Sequence, residues 1–293
     1  MVEKRSLTDK FKRFISSLNV DNQSLIAKRY RDITKQINLD YWKLKSETRN
    51  AYYIGSYGRG TAIKGIANIN MLVVLPKKIF WNFDVYKGNG QLVLIQDVRN
   101  TVVKLYKDAY INPEGHILID FEDITFEVVP SFVSPKKSYI YPEPKDGGSW
   151  KVFNPIKEIE VVEEYNFKYN GKIKHLAKMM RAWKSTCNVP ISGMLLDTLV
   201  LNFMDEWEGK ESSFSYYGYM VRDFLEYLAG LRKEQLHWYA KGSNRKILGT
   251  EDFGEDANSA FQKTLEALEF ELQNDYYKAN ACWKEVFGKY FPD

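Results

Sequence analysis

The most constraining stretch of the chain is "GSYGRGTAIKGIANINMLVVLP", Gly55 to Pro76. Its apolar run, Met71 to Leu75, closes on Pro76 and reads as a buried strand. Two amides, Asn68 and Asn70, open that strand. Residues two apart on a strand share a face, so one face of a buried strand must satisfy two polar side chains. A Gly-Ser turn, Gly55-Ser56, precedes them by an eleven-residue spacer, Tyr57 to Ala67. Such a turn can offer backbone N–H groups and a hydroxyl to phosphate oxygens without a blocking side chain. The combination asks for a site as well as a strand.

The surrounding sequence sets the scale. The chain has 293 residues, 44% of them hydrophobic, enough for two lobes or one large domain with a sizeable core. Aromatic residues are 15% of the chain, and most are assigned to packing. Two cysteines, Cys187 and Cys282, and three histidines provide neither a disulfide framework nor zinc-ligand spacing. No run is apolar enough to cross a membrane, and the N-terminus lacks a signal-peptide core. A cytoplasmic protein is expected, with no membrane partner and a monomeric state. Charge is uneven. Residues 1–64 carry fourteen Lys/Arg and six Asp/Glu, a net of +8 within a chain of +4. A basic N-terminal third attracts nucleic acid or polyphosphate, or it is a solvated helix face.

Periodicity orders the elements. Ser6 to Asp9 reads as a capping box before a short helix. "NQSLIAKRYRDITKQINLDYWKLK" is a long amphipathic helix with Lys28, Arg29, Arg31 and Lys35 on its polar face. "AYYIGS" is a strand entering a turn, "GQLVLIQDVRNTVVKLYKDAY" a helix, and "HILIDF" and "ITFEVVPSF" two strands joined at Glu122-Asp123. "VSPKKSYIYPEPKDGGSWKVFNP" is rich in Pro and Gly and reads as a loop. Beyond Pro155 the pattern is almost only helical, over 156–169, 172–186, 192–207, 214–230 and 257–285. The expected fold is α+β: a sheet lobe with a long N-terminal helix over 1–155, then a helical lobe over 156–293.

Gly-Ser, the spacer, the polar pair, the apolar strand and one acid on a later strand, Glu127 in "FEVVPSF", together resemble the DNA polymerase β-like nucleotidyltransferases. "YPEPKDGGSWKVFNP", "EEYNFKYNGKIKHLAKMMRAWK" and "NVPISGMLLDTLVLNF" narrow the resemblance to the bacterial cGAS/DncV-like nucleotidyltransferases (CD-NTases) of CBASS anti-phage systems. It covers the chain from about residue 50 to its end. The resemblance implies a cyclic oligonucleotide synthase that joins NTPs into a cyclic di- or trinucleotide, with a helical lobe completing the nucleotide cleft. It implies three acids holding two Mg²⁺ ions, at the positions of Asn68, Asn70 and Glu127. Gly55, Ser56 and Arg59 are the implied phosphate contacts. Arg181 stands where the family has a lysine at the β/γ-phosphates, with Lys184 as substitute. Ser192 matches a phosphate-binding serine or caps a helix, and Asn166 matches a nucleobase contact with some preference for uracil. Lys64 is assigned to solvation, and His116, His175 and His237 are read as isolated structural residues.

The departure is at Asn68 and Asn70. An amide oxygen can touch Mg²⁺ but brings no charge, and Mg²⁺ sites rely on carboxylates. Metal binding is expected to be severely weakened while triphosphate binding survives. With the surrounding pattern intact, the pair reads as a designed inactivation in preference to a natural pseudoenzyme. The alternatives are a linear oligonucleotide polymerase and a silent binder of NTP or structured RNA. An RNA activator on the basic helix and CBASS accessory proteins are further expected partners.

Overall fold

A computed structural model describes residues 7–232, 234–249 and 252–293; Ser6 of the expected capping box lies outside them. The chain begins α1 (Leu7–Ser17), α2 (Gln23–Ile37), β1 (Ala51–Ile54), the single turn α3 (Gly55–Gly58), β2 (Asn68–Val74), α4 (Phe80–Asp84) and α5 (Gly90–Val103). Five strands follow: β3 (Tyr110–Ile111), β4 (Ile117–Asp120), β5 (Thr125–Val133), β6 (Tyr139–Glu143) and β7 (Ser149–Phe153). Then come α6 (Pro155–Lys168), α7 (Lys172–Cys187), α8 (Gly193–Glu206) and α9 (Tyr217–Ala229). A hairpin of β8 (His237–Tyr239) and β9 (Lys246–Leu248) precedes α10 (Gly254–Leu272) and α11 (Tyr276–Phe287).

The fold is α+β, in two compact units. The sheet unit is Asp21–Gly58 with Gly65–Ile159; the helical unit is Met1–Val20, Arg59–Lys64 and Glu160–Asp293. In the sheet unit, seven strands run in the order β1-β2-β5-β4-β3, with β6 on β5 and β7 on β6. Only β2 and β5 are parallel, with Asn70 opposite Glu127 and Leu72 opposite Val129. Ile69, Met71, Val73, Phe126 and Val128 are buried on one face. On the other face, Leu72, Val74 and Val129 pack with Ile54 and Tyr139. The alternation predicted from sequence therefore holds, with one face changing from polar to apolar along β2.

In the helical unit one aromatic-rich core joins α1 to the C-terminal helices: Phe11 and Phe14 pack with Trp283, Phe287 and Phe291. Trp183, Leu199 and Phe224 are fully buried in the same core. Among the described residues no helix is long and apolar enough to cross a membrane.

Several sequence expectations need correction. The Pro/Gly-rich segment after β5 is not a loop but the β6–β7 hairpin. Pro142 lies beyond the two residues of β6 that pair with β5, where one edge of β6 is unpaired and a missing N–H is tolerated. The glycines form the turn, with Gly147 at φ +86° and Gly148 at φ +95°. The hairpin is secured by Trp150, whose indole donates to Asp84 at 2.8 Å and packs on Phe80 and Phe132. The region beyond Pro155 also contains the β8–β9 hairpin, whose three-residue strands are too short to show a period. The expected helix over 257–285 is two helices. Asn274 turns left-handed at φ 59° and Asp275 accepts from Lys278 N–H to begin α11.

The long helix stops at Ile37 and widens into a π-turn, Asn38–Trp42, instead of continuing through Lys45. Buried Asn38 then donates to the carbonyls of Ser46 and Arg49, at 3.0 and 2.7 Å, and fixes the turn into β1. The helix before β3 likewise ends at Val103.

Phe126 is fully buried and Val152 is 64% exposed. Phe126→Ala is expected to lower stability by about 3–5 kcal/mol, and Val152→Ala to stay within about 0.5 kcal/mol of wild type. Urea denaturation midpoints of the two variants check the contrast.

Candidate active site

In the sheet unit, β2 and β5 begin side by side and their parallel register aligns Asn68 with Thr125 and Asn70 with Glu127. Parity then puts Asn68, Asn70 and Glu127 on one face. Asn68 is exposed and Asn70 half-buried, so the pair opens outward at the strand end. Gly55, which opens α3 after β1, has φ +66°, and a Cβ there would stand 3.4 Å from the Asn70 amide oxygen. A side chain would be strained and would crowd that amide. Gly55 of the turn and Asn70 therefore lie side by side.

Glu127 is held from two sides. The Asn68 amide donates to its Oε2 at 3.2 Å, and His116 Nδ1 lies 2.7 Å from its Oε1. His116 is thus not isolated. It sits two residues before Leu118, which pairs with Glu127 across the β4–β5 ladder, so the same parity turns it to this face. A sequence reader would need the register to see it. The hydrogen bond to Glu127 raises the imidazole above its ordinary value, against the lowering effect of burial. The other two histidines lie elsewhere. His175 meets the Tyr217 hydroxyl at 2.8 Å and is pushed down to about 4 by burial.

This donor set does not fit a two-ion magnesium site. It offers one carboxylate, both of whose oxygens already face side-chain nitrogens, and two neutral amides. Among the described residues no group of three His, Cys, Asp or Glu could hold a metal.

In the helical unit a second constellation forms around Asp197, which the sequence reading missed. Asp197 is 2% exposed on α8. Its Oδ2 accepts from Arg59 Nε and from the Thr61 hydroxyl, each at 2.8 Å. Arg181 reaches both carboxylate oxygens at 2.8 Å and the Gly193 carbonyl at 2.9 Å. Burial alone would push the Asp197 carboxyl up, but the charges of Arg181 and Arg59 outweigh it, and the net direction is below the usual carboxylate range. The sequence held a signal: one acid inside the apolar run "GMLLDTLVLNF" requires a buried cationic partner.

The network changes how the implied phosphate contacts stand. Arg59 and Arg181 both lie against Asp197. Lys184 is half-buried and pairs with no acid among the described residues; burial and the nearby Arg181 lower its ammonium. Ser192 caps α8, accepting from Leu195 N–H at 3.1 Å. Asn166 accepts from Lys174 N–H at 3.0 Å and braces the first turn of α7.

On α2 the basic face is largely neutralised. Lys28 pairs with Asp32 at 2.7 Å and Lys35 with Glu47 at 2.9 Å. Arg29 pairs with Asp123 at 2.7 Å and lies 3.9 Å over the Phe121 ring. Arg31 is the exposed member of the set with no ion pair among the described residues.

Replacing Asp197 by Asn is expected to cost about 3–5 kcal/mol, because two buried guanidinium groups lose their counter-ion. The pH dependence has a defined sign. A depressed folded pKa stabilises above the ordinary aspartate value and loses that contribution as pH falls through the lower folded value. Urea titrations from pH 7 down to pH 2 are therefore expected to show a flatter acid limb in Asp197→Asn than in wild type.

Comparison with known proteins agrees with this architecture. The family model for the Second Messenger Oligonucleotide or Dinucleotide Synthetase domain, SMODS, matches residues 6–166. A probable cyclic nucleotide synthase of Bacillus cereus (strain VD146) is 26% identical over 276 residues, covering 81% of each chain. A cyclic AMP-AMP-AMP synthase of Acinetobacter sp. (strain ATCC 27244 / 9458) is 25% identical over 292 residues, covering 94% of this chain and 81% of that one. Among solved structures, the Vibrio cholerae DncV cyclic AMP-GMP synthase in complex with the linear intermediate 5′ pppA(3′,5′)pG shares the fold. Its TM-score is 0.69 at 11% identity, covering 98% of this chain and 97% of that one. The Escherichia coli MS115-1 CdnC, in complex with HORMA-deltaN, does so with a TM-score of 0.67 at 12% identity over 98% of both chains. The matched synthetase model spans more than half of the sequence and contains the Gly-Ser turn, the asparagine pair and Glu127, and the chain belongs to the SMODS family of cGAS/DncV-like nucleotidyltransferases.

Proposed function

We propose that the chain is a cyclic oligonucleotide synthase of the CD-NTase class in a catalytically silenced form. It holds nucleoside triphosphates, and Asn68 and Asn70 prevent it from turning them over. One observation carries this reading: the β2–β5 register gathers Asn68, Asn70 and Glu127 on one face beside the left-handed Gly55 turn. The names of the relatives, both cyclic nucleotide synthases, support the product class.

The residues present divide the work as follows. The Gly55-Ser56 turn admits a polyphosphate close to backbone. In the helical unit, Lys184 is the cation we assign to phosphate binding, with Arg59 and Arg181 retained by Asp197. The asparagines lower the local negative charge. A carboxylate about 4 Å from a phosphate charge costs about 4 kcal/mol at an effective dielectric of about 20. Two amides in its place relieve the bare triphosphate while depriving a cation of its ligands. Magnesium, where the positions carry acids, would supply charge neutralisation of the phosphates.

A silent NTP-binding pseudoenzyme is the second reading. It is favoured by the Asn68–Glu127 hydrogen bond, which an aspartate could not donate. RNA binding through α2 draws little support, since Arg31 alone is a small electrostatic footprint for a nucleic acid.

The test restores the acids, Asn68→Asp with Asn70→Asp, and supplies all four NTPs, Mg²⁺ and candidate activators. The expected result is a product, absent from the parent, that resists both phosphatase and 3′-exonuclease because it has no ends. Mass spectrometry then reads its bases and ring size. A product with ends points to a linear polymerase, and no product under any condition favours the pseudoenzyme.

A further inference from the structure

The helical unit contains a cavity of about 490 Å³ that the nucleotide reading does not use. Its walls are aromatic. Phe203 and Trp207 lie nearly parallel with centroids 5.8 Å apart, and Tyr227 meets Phe203 at 5.7 Å. Tyr216 and Tyr219 meet at 5.9 Å. The walls are preformed: the Trp207 indole donates to Asp223 at 2.8 Å. Gly209 lies so close that a Cβ there would come within 2.4 Å of the indole.

The charge around the cavity is unbalanced. Arg222 is cancelled by Asp223, to which its Nε donates at 2.7 Å, and its guanidinium lies 5.0 Å from the centre of the Tyr219 ring. Glu206 and Glu208 line the cavity, are exposed, and form no ion pair among the described residues. Lys241 pairs with Asp205; among the described residues, Lys210 donates to the Asp205 carbonyl at 3.0 Å and forms no ion pair with either glutamate. Glu206 is the last residue of α8, where the carbonyl end of a helix disfavours negative charge. Burial first and Glu206 second also raise the Tyr227 phenol. An acid at the unfavourable end of a helix, near enough to raise the Tyr227 phenol, does not serve stability. A cation would satisfy the acids and the ring faces together.

We propose that this cavity binds an organic cation, an alkylammonium or guanidinium group, stacked on its aromatic walls with Glu206 and Glu208 as counter-charges. The volume lies within the roughly 300–1,000 Å³ of small-ligand sites. Such a group reaches the protein as a free polyamine or as a Lys or Arg side chain of a partner.

Isothermal titration of the full chain at low ionic strength tests this, with spermidine in one arm and an end-capped Gly-Arg-Gly peptide in the other. At least one probe is expected to bind with Kd below about 1 mM; which one binds identifies the source. The exposed double variant Glu206→Gln/Glu208→Gln is expected to weaken it about tenfold. Tyr216→Ala, which removes an exposed ring, is expected to weaken it about threefold. No binding of either probe to wild type, or equal binding by the double variant, overturns the proposal. Loss with the acids but none with Tyr216→Ala also overturns it, because the site is then only an acidic surface. Unchanged unfolding midpoints in the variants keep these outcomes apart from misfolding.

Discussion

The parallel pairing of β2 with β5 is the constraint on which the sheet unit's chemistry depends. Side-chain direction alternates along both strands, and a slip of one residue would exchange every inward and outward position. Ile69, Met71, Phe126 and Val128, all buried on one face, make that slip costly. With the register fixed by apolar burial, Asn68, Asn70 and Glu127 have no freedom to lie anywhere but together. The same parity, carried one strand further through Leu118, delivers His116 to Glu127. The site is thus a by-product of packing on the opposite face.

The helical unit solves the opposite problem. There the polar group is deep, and its position is set by charge instead of by a strand's alternation. A carboxylate 2% exposed is tolerable only because two guanidinium groups and a hydroxyl surround it, and removing any one leaves the others unbalanced. Arg59 and Thr61 follow the Gly-Ser turn by only a few residues. The segment Arg59 to Thr61 is therefore anchored by its ion pair and hydroxyl to α8. Family resemblance invites a phosphate role for Arg59 and Arg181; the geometry shows that each has a second, structural partner.

Much of this was legible in the sequence, and the failures have physical causes. The β2 strand, the Gly-Ser turn and the amphipathic helices could be read because burial on one face imposes a period. Pro142 and Gly147-Gly148 misled because turn residues mark a hairpin as readily as a loop, and only pairing with β5 distinguishes them. The break at Asn274-Asp275 was hidden inside an apolar period that both helices share. His116 and Asp197 depend on contacts across the ladder or across the core, at sequence separations that no local pattern encodes. The basic face of α2 was visible as charge, but its neutralisation by Asp32, Glu47 and Asp123 was not. Charge counts overestimate a nucleic-acid surface when the compensating acids come from elsewhere in the chain.

Asn68 shows what an amide does at this strand end. Its amide nitrogen donates to Glu127, and the imidazole of His116 balances the remaining charge. An aspartate of the same shape would present an oxygen instead, about 3 Å from another carboxylate. Like charges that close raise one another's pKa and destabilise the strand ends unless a cation intervenes. Two further acids would make the site dependent on bound metal for its own stability, which is the ordinary trade between activity and stability at catalytic centres. With amides in both positions, the strand ends are at peace without metal. The Asn68–Glu127 hydrogen bond therefore holds these strand ends without a cation, and an acid at position 68 is expected to lower the stability of the metal-free chain.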